Sequence, residues 1–572
     1  MKSFLTCLLS CALTALALHA APKDDVVLQA MRDELARSTA QLQLENLEKP
    51  YFIAYRVEEQ RNQAVSANFG SLNGDHDSRY RQLTVEVRVG TPAFDNSNFI
   101  STLSSGQGRR TMLPCDDNYT EIRRQLWLAT DDAYKDAIET LSKKKAAIQN
   151  KTRTDETPDF SPQKPETITD LHPGKPLDMA QARALVRELS LVFRECPAVA
   201  TSAVSIRAAD ELTRYINSEG TSFVTESAQL MLEAQAGTQA SDGFPLDDHF
   251  VLIRRNWADL PAKSELTAAV RELGARLAQL RDAPLLEQYN GPVLFEAQAA
   301  PEIFAQVFAS QLVARKRPIS DNPAYESFLA GQENIFLDKL GARVLPDFLS
   351  VTDNATITQL GAAPLFGDAK VDDEGVPTRA VQLIEKGRLK TLLVSRSPVR
   401  GVSASTGSTR GGSPALSNLI VASSEGQTPA ELKAQLLKLV QLRGKEYGVI
   451  VRRIGNPMFR IGQRTIRVGA RSGETRVEPA ILAYKVFPDG REELLRNVEI
   501  GGMNAQLFKD IVAAGNEPVV HTIPFRSTAL FATGIPVVSF AVPALLFEDV
   551  TLKKPTGEIP KPQLAKHPYF DK

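Results

Sequence analysis

Asp372-Asp373-Glu374-Gly375-Val376-Pro377-Thr378, followed by Leu383-Ile384-Glu385-Lys386-Gly387-Arg388-Leu389, is the stretch on which the reading of this chain turns. Acidic residues stabilise the start of a β-turn, and Gly375 supplies a positive-φ position before the chain returns as a strand. Three carboxylates in a row also raise Ca²⁺ binding. An EF-hand loop, however, takes its ligands at alternate positions and closes on a Glu, which is missing here. The run therefore reads as a structural turn leading into a strand.

Working outward, the chain beyond about residue 285 is mostly short strands and Gly/Pro turns. Asn290-Gly291-Pro292 reads as a turn before a short buried strand ending at Phe295. Helices are expected at 301–317 and 429–442, and strands at 449–453, 465–470, 480–486, 493–499, 537–542 and 544–550. Upstream, apolar residues at helical spacing predict helices over 26–47, 119–151, 178–193 and 262–282. Strands are expected at 51–57, 83–89, 203–207, 213–217 and 222–233, with a Gly/Asn/Asp loop over 68–77 and a turn at Asn217-Ser218-Glu219-Gly220. Lys143, Lys144 and Lys145 suit a solvated helix C-terminus. The Pro-rich segment 152–176 reads as a surface excursion or linker. The fold class is α+β. An N-terminal domain over 22–285 has long helices on a mixed sheet, and a β-rich C-terminal domain over 286–572 has largely antiparallel strands.

The bulk numbers fit a globular, multidomain chain of 572 residues. Lys plus Arg total 67 and Asp plus Glu 68, so no electrostatic footprint for nucleic acid is expected. Lys2, the apolar run 4–18 and His19-Ala20-Ala21-Pro22 read as an export signal over 1–21, with a retained anchor as the alternative. Cleavage would place the chain in the periplasm or outside the cell. No later stretch reaches 18 apolar residues, so no membrane span is expected after cleavage. Cys7 and Cys11 leave with the signal. Cys115 and Cys196 remain, and free buried thiols are expected rather than a disulfide.

Several segments together resemble the TldD/PmbA family, also called the "modulator of DNA gyrase" family. They are Asn217 to Gly220, Gly291-Pro292-Val293-Leu294, Val351-Thr352-Asp353, and the two runs quoted at the outset. Ser405-Thr406-Gly407 with Arg410, Gly534-Ile535-Pro536, Pro543-Ala544-Leu545-Leu546 and Glu548-Asp549-Val550 continue the likeness. It is densest from about 290 to 550 and looser upstream.

The resemblance implies a metallopeptidase site: a His-Glu-x-x-x-His stretch on a helix and a Cys near the C-terminus. Two imidazoles and a third ligand hold Zn²⁺ with one position open for water, and the Glu takes a proton as that water attacks. Aligned on Gly291 to Leu294, this chain has Phe295, Glu296 and Ala300 at those three positions, and its last cysteine is Cys196. Glu296 is a remnant of the general-base position. Pro301 suits the first position of a helix that starts after the stretch. With no ligands for zinc, no metal, cofactor or catalytic residue is expected, and the chain is most like the metal-less PmbA/TldE-type branch. That resemblance implies a homodimer, or a heterodimer with a metal-bearing TldD-type subunit.

No other site is rebuilt. His76, His172, His249, His521 and His567 are scattered, and His249 and His521 read as structural. Gly401-Val402-Ser403-Ala404-Ser405 lacks the closing Gly of a nucleophile elbow, and the Gly-rich loop 405–413 is no P-loop. Three functions remain open. One is a non-catalytic subunit that binds unstructured peptide; one is an active peptidase with non-standard ligands. The third is a periplasmic structural or assembly factor with no peptide site.

Overall fold

The computed structural model describes residues 25–101, 109–149, 155–330, 334–459, 477–526, 534–555, 561, 565 and 567–570. The export segment and the strand expected at 465–470 lie outside the described residues.

The first half is built from long antiparallel strands. Helix α1 (Val26–Gln41) precedes β1 (Pro50–Asn68) and β2 (Ser71–Thr91); α2 (Tyr119–Ile148), β3 (Thr167–Leu171) and α3 (Met179–Leu191) follow. Then come β4 (Thr201–Asn217), β5 (Ser222–Gln239), β6 (Pro245–Arg254) and α4 (Lys263–Asp282). Among the described residues these strands form one mixed sheet in the order β2-β1-β4-β5-β3, with β6 also on β5. Only β3 runs parallel to its neighbour. Alternation decides which face is dry. Leu83, Val85, Val87 and Val89 of β2 pack with Ile53, Tyr55 and Val57 of β1 under α1 and α2. Asp25 and Asn118 cap the two helices by accepting from the amides of Leu28 and Glu121.

Several expectations need correction. No loop spans 68–77: Phe69 and Gly70, at φ 46° and 84°, make a two-residue turn, and the Asn/Asp-rich residues pair on as part of β2. Their polarity reflects the exposure of this end of β2, while the paired arm of β1 buries Val65 and Ala67. The strands expected at 203–207 and 213–217 are one strand, with Asp210 paired opposite Ala228 inside it. Helix α1 stops at Gln41; Leu42 still packs on the core, but Leu44 and Leu47 beyond it are each 39% exposed. Lys144 is buried, not solvated. Its ammonium donates to Asp159 at 2.6 Å and to the carbonyls of Asp95 and Ser97. Nor is the Pro-rich segment a mere excursion, since Asp159, Phe160 and Ser161 are buried and 167–171 forms β3. The cysteines are free, but Cys115 is exposed and Cys196 only partly buried.

The second half is organised on a mixed sheet. Its main strands are β7 (Gln288–Phe295), β8 (Leu349–Asn354), β9 (Ala380–Glu385), β10 (Asn418–Ser423), β11 (Gly448–Ile454), β12 (Ala480–Val486) and β13 (Glu492–Leu495), then β14 (Ile511–Pro524) and β15 (Val537–Lys553). The order is β9-β8-β10-β15-β7-β11-β12-β13, with β14 also on β15. Only the β10–β15 and β7–β11 pairs are parallel. Helix α5 (Ala299–Ile303) follows β7, and α6 (Pro429–Leu442) lies over β7 and β11.

Here too some elements differ from expectation. Asn290 and Gly291 lie inside β7, at a bulge against β15. The run 383–389 is a hairpin, turning at Lys386 and Gly387 with φ 45° and 73°. The last two expected strands are one: Pro543 sits between the part of β15 paired to β10 and the part paired to β7. The segment 493–499 is broken at Asn497, φ 46°.

Candidate functional site

The stretch 295–300 is a strand, a turn and a helix start, not one helix. Phe295 ends β7, fully buried and edge-on to Phe547 at 5.5 Å. Ala297 turns the chain at φ 50°, and α5 begins at Ala299. Ala300 is buried in the same apolar cluster. Pro301 is therefore the third helical residue rather than the first; an amide there has no intrahelical acceptor, so its loss is harmless. The helix expected over 301–317 is shorter. After α5 come a π-turn over Phe304–Phe308 and a 3₁₀ turn over Ala309–Leu312. Glu296 faces outward, where Arg452 binds it at 2.7 Å and also binds Glu492 at 2.7 Å.

A second carboxylate, not singled out in the sequence, lies one turn further on. Glu302 is fully buried. Its Oε1 accepts from Gln306 at 2.7 Å and Asn456 at 2.8 Å, and its Oε2 from His521 at 2.9 Å and Gln298 at 3.1 Å. The only local signal was the i, i+4, i+8 spacing of Gln298, Glu302 and Gln306 in an otherwise apolar helix. Neighbouring His249 is buried against Phe459, and burial pushes its imidazole down to about 3.

These residues do not fit zinc. Phe295 and Ala300 have no ligating atom, Glu296 is engaged by Arg452, and both oxygens of Glu302 are taken by two donors each. Among the described residues no three His, Cys, Asp or Glu side chains converge as a metal set.

The scattered motif segments meet elsewhere, at the junction of the two sheets. The Asp372 carboxylate accepts from the amides of Glu374, Val376 and Thr409 and so closes the signature turn on itself. Arg56 of β1 binds Asp373 at 3.0 Å. Glu374 Oε2 accepts from the Arg396 amide and the Thr409 hydroxyl, each at 2.7 Å. Arg396 in turn donates to the Ser161 carbonyl and binds Glu219 at 2.7 Å. Phe160 lies between the guanidinium groups of Arg88 and Arg396, each 3.9 Å from its ring centre. The Gly-rich loop 405–413 is packed in, with Ser405, Thr406, Ser408, Thr409 and Ser413 buried.

Beside this turn a cavity of about 620 Å³ opens between the halves, lined by Arg56, Glu86, Arg110, Arg315, Glu374 and Thr409 among others. Burial and the adjacent Glu374 push the Asp372 carboxyl up to about 7, and burial likewise raises Glu374. Burial lowers Arg315 to about 10.

Residues 288–554 match the family model of the PmbA/TldA metallopeptidase C-terminal domain. The chain belongs to the TldD/PmbA family. Among curated TldD/PmbA relatives, a metalloprotease of Methanocaldococcus jannaschii is 48% identical over 64 residues, spanning 11% of this chain and only 13% of that protein. Solved structures share the TldD/PmbA fold over nearly the whole length. A Thermotoga maritima protein described as a modulator of DNA gyrase has a TM-score of 0.58 at 16% identity, covering 92% of this chain and 99% of that one. TldE of Thermococcus kodakarensis has a TM-score of 0.56 at 15% identity, covering 91% and 99%. A Bacteroides thetaiotaomicron protein described as a modulator of DNA gyrase has 0.55 at 13%, covering 93% and 98%. At these identities the three structures speak for the fold alone. Phe295 and Ala300 both lie within the matched residues and are both walled into the core.

Proposed function

We propose that this chain is an exported, non-hydrolytic TldD/PmbA-family protein that binds peptide and acts beside another subunit, a second copy of itself or a metal-bearing relative. One observation carries the reading. At the metal positions stand a buried phenyl ring and a buried methyl group, and the remnant acid Glu296 is tied to Arg452 at the surface. Peptide is the ligand in keeping with the metalloprotease name of the archaeal relative and the metallopeptidase name of the matching family model. Strand edges of the second sheet offer extended backbone for pairing.

The test is incubation of the purified chain with unstructured peptides, read by fluorescence anisotropy and by mass spectrometry of the same samples. Saturable binding with intact peptide, unchanged by a chelator, is the expected result. Cleavage that a chelator abolishes would show an active peptidase with other ligands. Failure of every peptide to bind would leave the structural or assembly role.

A further inference from the structure

Phe69 is an odd residue for its place. It stands at φ 46° in the two-residue turn between β1 and β2, where a left-handed backbone favours Asn, Asp or Gly. Yet it is only 8% exposed. It joins the apolar cluster of α3. Two further rings reach it from the far end of the chain. His567 and Tyr569 lie 5.2 and 5.4 Å from the Phe69 ring, centre to centre. Arg194, in the 3₁₀ turn that follows α3, completes this seat with its guanidinium 4.5 Å from the centre of the Tyr569 ring.

The segment on the seat is a small unit of its own. Pro568–Phe570 is a 3₁₀ turn, closed by the Phe570 amide, which donates to the His567 carbonyl at 2.9 Å. The Tyr569 amide donates to His567 Nδ1 at 3.3 Å. The turn gathers its rings, with His567 at 5.2 Å from both Tyr569 and Phe570. Seat and unit belong to different halves. β15, the last strand before this segment, ends at Lys553 paired to β7 in the second sheet. Phe69 lies past the far end of β1 from Arg56, roughly 40 Å along an extended strand from the residue that binds the signature turn. The contact is therefore a tie between the halves remote from that turn.

It is also a shallow tie. Among the described residues no hydrogen bond or ion pair joins 567–570 to the first half, and Tyr569 stays 44% exposed. Ring contacts of this kind are individually weak, and fixing four residues costs conformational freedom of comparable size. Docked and released forms thus lie close in free energy. We propose that residues 567–570 are a reversible strap, an aromatic plug from the second half that docks on the Phe69–Arg194 seat of the first. The strap goes beyond the peptide-binding reading and does not rest on it.

The test is hydrogen exchange on the full chain and on its His567→Ala/Tyr569→Ala variant, with the synthetic heptapeptide of residues 566–572 as probe. Exchange at 68–71 and 192–195 should rise about threefold or more in the variant, because the seat loses its cover. The heptapeptide should restore protection there saturably, and the same peptide carrying both alanines should not. On the wild type about tenfold more heptapeptide should be needed for any given effect, because the tethered segment competes at high effective concentration. Unchanged exchange at the seat in the variant would overturn the strap. A rise that millimolar heptapeptide does not reverse would overturn it as well, since it marks fixed packing instead of docking. Equal heptapeptide affinity for the two proteins would place the peptide elsewhere and likewise sink the assignment.

Discussion

Glu302 shows what a buried carboxylate does when every lone pair is matched. Its donors come from its own helix, from Asn456 beyond β11 and from His521 of β14, so one side chain fastens three parts of the second half. Glu302→Ala strands those donors around a hole and should lower stability by about 3 kcal/mol, read by urea denaturation. An unchanged midpoint would show that the cluster carries no load. Asp372 makes a pH prediction. Its carboxyl is raised to about 7 in the folded chain, so folding retains a proton there that the unfolded chain releases. Its contribution is full below the unfolded carboxylate range and is lost as pH rises towards about 7. Relative to Asp372→Asn, the wild type should therefore lose stability between about pH 4 and pH 7, by at most about 1.4 kcal/mol per pH unit. A constant difference across that window would contradict the assignment. The buried strand ending at Phe295 was legible in the sequence, because Val293-Leu294-Phe295 is a continuous apolar run. The Glu302–His521 contact was not, because its partners stand 219 positions apart with no local pattern joining them.

The signature turn is the element that joins the halves. Gly375 sits at φ 80°, and a methyl group there would lie 2.7 Å from Thr221 Cγ2. Gly375→Ala should therefore loosen both turns together, raising hydrogen exchange at 217–221 and 372–378 and costing about 1–3 kcal/mol. Unchanged exchange at 217–221 would mean that the two turns are not coupled. Element reading from sequence was good where one face is dry. Helix α6 falls on the residues that the apolar spacing and Pro429 predict, and its Thr428–Glu431 capping box is formed. It failed where strands are wet or bent. β2 continues through residues that look like loop because that end of it is exposed. The hairpin at Lys386 and Gly387 hid inside what reads as one strand.

Across the whole molecule, arginines of the second half reach acids of the first. Arg396 holds Glu219, Arg453 holds Asp248 and Arg496 holds Asp242, each at 2.7 Å. Arg453→Met leaves Asp248, which is fully buried, with Arg276 and the His249 amide, and should lower the thermal midpoint by several degrees in calorimetry, about 2 kcal/mol. An unchanged midpoint would remove that tie from the account. The α+β class was readable from the order of elements, but which surfaces meet was not, since such pairs join residues far apart in the chain. The direct test of the central claim is zinc content, measured by inductively coupled plasma mass spectrometry on the chain purified without chelator and then equilibrated with zinc and desalted. Far less than one zinc per chain is predicted, unchanged in Glu296→Gln. One tightly held equivalent that Glu296→Gln releases would contradict it.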